Sequence, residues 1–221
     1  MSSVNLSNVC LNKIPNNTEK LTTIYNRIIE KHKDDNTDFL ILMHADVYIN
    51  VNSLIAHIER CKEQYDVMGL CGCSKMSVSQ SPLNWWTGSN PFPEHKWGCV
   101  THGELGNQTS FFNKHLPHVK DHAVSCIDGL CIILSKKAIQ AGMRFDENFA
   151  FDFYDTDLSF QCVMKYKMKL GVLVEESLNH YSVGKSILTK DFLKHEIYFR
   201  KKWNLKIPVD SPIQQMINDI T

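Results

Sequence analysis

Apolar and polar positions along the chain fall into blocks that read alternately as helix and strand. Leu21, Ile24, Tyr25, Ile28 and Ile29 recur at helical spacing behind Asn16-Asn17-Thr18-Glu19, whose side chains suit a helix start, and predict a helix over 18–31. Asp38-Phe39-Leu40-Ile41-Leu42-Met43 is a continuous apolar run of strand length, the pattern of a strand buried on both faces of a parallel sheet. A helix over 51–64 and another buried strand over 66–73 follow. This is α/β alternation.

Over 77–121 the periodicity dissolves into a segment rich in Pro, Asn, Gly, Trp and His, too long for a mere connector and expected to bind something. Regular structure resumes with a strand over 123–134, interrupted at Asp128-Gly129, and a short helix over 135–141. A helix over 155–168, a last strand over 170–174 and an amphipathic closing helix over 189–203 complete the series, the last carrying Phe192, Ile197, Tyr198 and Trp203 among Lys and Arg. The elements predict a single domain.

The 221 residues, 43% of them hydrophobic, suffice for one sizeable core. Lys plus Arg equals Asp plus Glu at 24 each, so the surplus of positive charge that drives binding to nucleic acid is missing, and an anionic ligand must be met by local charges. Eight cysteines follow no regular framework, several inside apolar runs, and are expected to be buried thiols of a reducing compartment. No apolar run approaches the roughly 20 residues that span a bilayer, and the polar start is unlike a signal peptide. A soluble, cytoplasmic chain is expected, or one domain of a longer one.

Three places carry candidate chemistry. His44 and Asp46 stand at the carboxyl end of a strand, where open α/β sheets place their ligands, and strand alternation puts both on one face. A polar strand exit is the plain alternative. Between Arg144 and Leu158 acids and phenylalanines are densely interleaved, and Asp155 and Asp157 open a predicted helix whose positive end favours carboxylates. Either could serve as a general base or as a helix cap. Past the last strand, His180 can ligate a metal, and Lys185 can meet phosphate oxygens. In the long loop, Trp85 and Trp86 offer faces that stack on sugars, or else anchor the loop to the core. His102, His115, His118 and His122 with Cys99 or Cys126 lack the tight spacing of a zinc site.

Together these pieces resemble the family-two type of glycosyltransferases with the A-type fold, in particular a subgroup whose acid motif reads His-x-Asp-Val. The likeness is carried by Phe39-Leu40-Ile41-Leu42-Met43-His44-Ala45-Asp46-Val47, Ile127-Asp128-Gly129, Arg144-Phe145-Asp146-Glu147, Tyr154-Asp155-Thr156-Asp157-Leu158 and His180-Tyr181-Ser182-x-Gly184, in that order. It implies a Rossmann-like three-layer α/β sandwich with a mostly parallel central sheet. Residues 1–75 would be the nucleotide-binding half, 76–190 the acceptor and catalytic half, and 191–221 a closing helix and tail. By the same resemblance Asp46 meets Mn²⁺ or Mg²⁺ and bridges it to the diphosphate of a nucleoside-diphosphate sugar, a UDP-sugar first among them, with His44 a further residue on the donor. His180 completes the metal shell, Asp155 deprotonates the acceptor hydroxyl in an inverting reaction, and Asp157 orients the site. Asp128 and Gly129 with the two tryptophans face a glycan or glycoprotein acceptor, and Lys185 and Asn17 lie on the donor side. His44 replaces the usual first acid, and the stretch before the motif is short, leaving Asn12 to Asn17 as the local candidates for holding the base.

Two other classes compete. A metal-dependent phosphoesterase or pyrophosphatase uses similar acids and histidines, commonly around two metals about 4 Å apart. A carbohydrate-binding module would keep the fold without the chemistry.

Overall fold

The structure, a computed structural model, describes residues 9–10, 13–14, 17–85, 92–103, 109–111, 122–174, 177–182 and 189–219. Helix α1 (Leu21–His32) begins three residues later than the sequence pattern suggests, because Asn17 takes the Glu19 amide in a local turn. Its buried side includes Thr22, Ile24, Tyr25 and Ile29. It docks on the segment 145–149 through side chain to backbone bonds: Asn26 both donates to the Phe145 carbonyl and accepts its amide, and Thr22 donates to the Phe149 carbonyl. The Arg144-Phe145-Asp146-Glu147 motif is thus the landing strip for the first helix.

Strand β1 (Phe39–Met43) is followed by the short β2 (Val47–Tyr48), by α2 (Val51–Cys61) and by β3 (Val67–Gly69) and β4 (Cys71–Cys73). After a turn of 3-10 helix at Pro93–His95 come β5 (Lys96–His102), β6 (Thr109–Phe111), β7 (His122–Ala123), β8 (Cys126–Ile127) and β9 (Cys131–Ser135). Helix α3 (Lys136–Gln140) and α4 (Tyr154–Phe160) follow, α4 running on into a π-helical turn at Gln161–Lys165. Strands β10 (Leu170–Val172) and β11 (Ser177–His180) and helices α5 (Lys190–Lys202) and α6 (Pro212–Asn218) end the chain. No helix among the described residues is long and apolar enough to cross a membrane.

The strands form two sheets, ordered β1-β9-β3-β10-β7 and β2-β11-β5-β4-β8, with β6 added beside β5. Only β3 with β10 and β5 with β11 pair in parallel among the described residues; the other pairings are antiparallel. The expected mostly parallel sheet is therefore corrected. The cause is β9, which inserts antiparallel between β1 and β3. Apolar content records that a strand is covered, not which way it runs.

Two further expectations change. Strand β1 is apolar throughout yet lies at the edge of its sheet. Alternation divides its side chains between two cores: Leu40 and Leu42 face the one built on α1, α4 and α5, while Phe39, Ile41 and Met43 face the one containing Leu54, Met68 and Trp85. The predicted strand over 66–73 is two strands, because the chain leaves the first sheet after Gly69 and joins the second at Cys71. Gly98, at φ +121°, lets β5 pass there; a Cβ on it would lie 2.4 Å from the Leu70 carbonyl oxygen.

The closing helix is fastened by charge inside the protein. Arg200 and Glu196 are fully buried and paired at 2.9 Å, and Arg200 also donates to the carbonyls of Val78, Gln80 and Lys206. Ser81 donates to the other Glu196 oxygen. A buried pair that loses one partner leaves an uncompensated charge, at a cost of about 3–5 kcal/mol. Glu196→Ala should lower stability in urea unfolding by about 3 kcal/mol or more; a loss below about 1 kcal/mol would mean that the three carbonyls alone satisfy the guanidinium.

Candidate functional site

The site forms where the chain passes from one sheet to the other. Strand β1 ends at Met43, and the His44 amide donates to the Leu130 carbonyl at the start of β9. A turn through Ala45 and Asp46 then leads into β2, closed by the Val47 amide on the His44 carbonyl. Strand β2 pairs with β11 in the register Val47 opposite His180, and the Tyr181 amide donates to the Asp46 carbonyl. His180 is thereby delivered to the turn. Its Nε2 lies 3.4 Å from Asp46 Oδ1, and potential ligand atoms of His44, Asp46 and His180 all lie within 4.8 Å of one another. The sequence expectation of His44 and Asp46 sharing one face of a strand gives way to a turn and a cross-strand neighbour.

His180 Nδ1 is buried and has no hydrogen-bond partner among the described residues. Beside it stands His102, the register partner of His180 on β5, with the two rings edge to face at 5.2 Å. His102 Nδ1 lies 3.3 Å from the Ser182 carbonyl. Burial lowers the pKa of His44, against the pull of Asp128 and Asp46, and the neighbouring His180 lowers it further. Burial and His180 likewise lower that of His102. Both shifts favour the neutral imidazole, the form that binds metal. The sequence offered His102 only as part of an unsupported zinc cluster; its place here depends on the pairing of β5 with β11, which no local pattern encodes.

The second half of the site is the bend between β8 and β9. Asp128, partly exposed, accepts the Leu130 amide, and the Gly129 amide donates to Asp155 Oδ2 at 2.9 Å. The other Asp155 oxygen accepts the Thr156 amide at 2.6 Å. Asp155 is 9% exposed. Burial and the neighbouring Asp128 push its carboxyl up to about 7, against the bonds from Thr156 and Gly129. Helix α4 starts after Phe153, whose φ of 69° is left-handed, and the next residue, Tyr154, places its hydroxyl 2.8 Å from His44 Nε2. Only a glycine at 129 admits that ring, since a Cβ there would lie 1.9 Å from the Tyr154 oxygen. Phe151, 48% exposed, stacks on the His44 ring at 5.8 Å.

Other residues singled out in the sequence are placed elsewhere. Asp157 is fully buried and accepts from Lys202 at 2.9 Å, Trp203 at 2.8 Å and Gln161 at 2.8 Å. It ties α5 to α4 and is not among the residues gathered with His44, Asp46 and His180. Asn17 is exposed and uses its side chain on Glu19. Trp85 is wholly inside the second core, the anchoring alternative, rather than on an acceptor face. Trp86 and Lys185 lie outside the described residues, as do His115, His118 and most of the stretch from Asn12 to Asn16.

The profile of a family described as "Glycosyltransferase like family" matches residues 9–202 of the chain. No curated protein matches it.

Asp155 titrates near 7 when folded and near 4 when unfolded, so it favours folding in its protonated state. That contribution is complete below the unfolded value and is lost as pH rises from about 4 to about 7. The stability of Asp155→Asn relative to wild type should therefore increase between about pH 4.5 and pH 8 in urea unfolding. A difference that stays constant over this range would show that the folded carboxyl is already ionised throughout.

Proposed function

Because the chain belongs to the glycosyltransferase-like family that its residues 9–202 match, we propose that it moves a sugar from a nucleoside-diphosphate donor to a hydroxyl of a glycan or glycoconjugate. The observation that carries this reading is the convergence of His44, Asp46 and His180 beside a carboxyl whose pKa is raised to about 7. Two imidazoles, from the turn after β1 and from the end of β11, and one half-exposed carboxylate make a mixed nitrogen and oxygen donor set that suits Mn²⁺, and Mg²⁺ less well. A divalent ion bound there would supply positive charge to the diphosphate as it departs.

Asp46, His44 and His180 hold the donor end of the reaction. At the other end Asp155 is the proposed general base, with Asp128 and the Gly129 backbone lining the acceptor's approach. The acceptor oxygen forms its bond to the anomeric carbon as the bond from that carbon to the diphosphate oxygen breaks. The hydroxyl proton passes to Asp155, and the configuration inverts. A base with a pKa near 7 is still half ionised at neutral pH and takes up a proton more readily than an ordinary carboxylate. Asp157 acts through α5, by holding Lys202 and Trp203. A UDP-sugar is the first donor to try.

The test is calorimetric titration of UDP-, GDP- and dTDP-sugars with Mn²⁺ present or chelated. Binding should require the metal, select one base and vanish in Asp46→Ala. Asp155→Asn should bind that donor as wild type does while losing about 10²- to 10⁴-fold in transfer rate. Donor binding indifferent to chelation and to Asp46→Ala would remove the metal-dependent reading. Turnover of a donor with water to nucleoside monophosphate and sugar 1-phosphate, with no acceptor consumed, would favour the hydrolase.

A further inference from the structure

We propose that Tyr154 is the positioning residue of the metal cluster: its hydroxyl engages His44 Nε2 and so leaves Nδ1 as the nitrogen that meets the ion. The inference rests on the metal-dependent reading above. A neutral imidazole has one protonated and one unprotonated nitrogen, and the bond made by one decides which state the other takes. His44 Nε2 lies 2.8 Å from the Tyr154 oxygen, within a normal hydrogen bond. With Nε2–H donating to that oxygen, the lone pair is on Nδ1.

The hydroxyl is a fixed reference point. Its ring is 3% exposed and wedged among Tyr25, Phe145 and Phe151, at centroid distances of 6.3, 5.9 and 6.0 Å. Its oxygen sits where a Cβ on Gly129 would be, at 1.9 Å, so the Gly129 backbone forms the wall behind it. On the far side Phe151 covers the His44 ring. The imidazole is held by a bond at Nε2 and by a stacked face, which leaves it little freedom to flip. The next residue along α4 is Asp155, whose carboxylate takes the Gly129 amide. One helical start therefore sets both the metal-facing nitrogen on the donor side and the carboxyl on the acceptor side, and a displacement of Tyr154 would be felt at both.

The test is Mn²⁺ binding to the full chain, read by the paramagnetic resonance of the free ion, with no sugar donor present. Tyr154→Phe keeps the ring and removes the hydroxyl. It should bind Mn²⁺ roughly 10- to 100-fold more weakly, as loss of the partner of a ligating histidine does, while its far-ultraviolet circular dichroism in chelator matches wild type. Histidine-selective nitrogen NMR of the wild-type chain loaded with Mg²⁺ supplies a measurement that needs no variant, and should find the His44 proton on Nε2. Tyr154→Phe binding as tightly as wild type, while Asp46→Ala does not bind, would overturn the positioning role and leave the metal site standing. A proton on Nδ1 in the loaded wild type would do the same. Absence of Mn²⁺ binding by wild type itself would take down the metal reading and this inference with it.

Discussion

The arrangement depends on a seam, the line along which the backbone leaves one sheet and joins the other. A strand that abandons its ladder exposes amides and carbonyls that must find partners elsewhere. Here the connections satisfy one another: the His44 amide bonds the Leu130 carbonyl, the Asp128 amide that of Cys71 and the Leu173 amide that of Gly69. The first sheet's apolar strands are thus joined to the second without an unpaired interior backbone at these points. The polar residues that carry the candidate chemistry occupy the same connections, because the ladder's hydrogen bonding and apolar alternation both stop there.

Helix α4 turns this seam into a site. It meets the bend at Gly129, where the missing side chain admits Tyr154, and its first turn supplies the carboxyl that the Gly129 amide holds. Behind it, Asp157 and Asp146 both receive Lys202 from α5, at 2.9 and 2.7 Å. Burial alone would raise the Asp146 carboxyl, but Lys202 and Asn148 hold it at about 2. Two carboxylates close together in sequence thus have opposite surroundings. Asp157 pairs with a lysine, accepts from an indole and works as a tie, whereas Asp155 faces another acid, accepts from two amides and the Thr156 hydroxyl, and is left basic. That contrast separates the catalytic candidate from the structural one.

Much of this was legible in the sequence, and the limits are physical. Helical spacing located α1, α2 and α5, and apolar runs located β1, β3, β9 and β10, since periodicity reports burial directly. His44, Asp46 and His180 could be named because they flank such runs. Strand direction was not legible, because β9 owes its antiparallel place to a return of the chain from far along the sequence. Asp155 and Asp157 stood alike at a predicted helix start, and only the packing of Trp203 and Lys202 tells them apart. His102 was hidden for a similar reason, since its nearness to His180 comes from strand register.

The seam also limits how the protein can move. The backbone passes between the sheets at 44–46, at Leu70 and at 128–130, and again between β10 and β11. Two slabs riveted at several points cannot swing apart like the halves of a clamshell, because any rotation that opens one rivet shears the next. A substrate of the proposed reaction would then be admitted and enclosed by smaller pieces riding on a stiff frame. On such a frame the geometry of the cluster is set at folding rather than at each encounter, and change is easiest in the parts that can be exchanged without disturbing it.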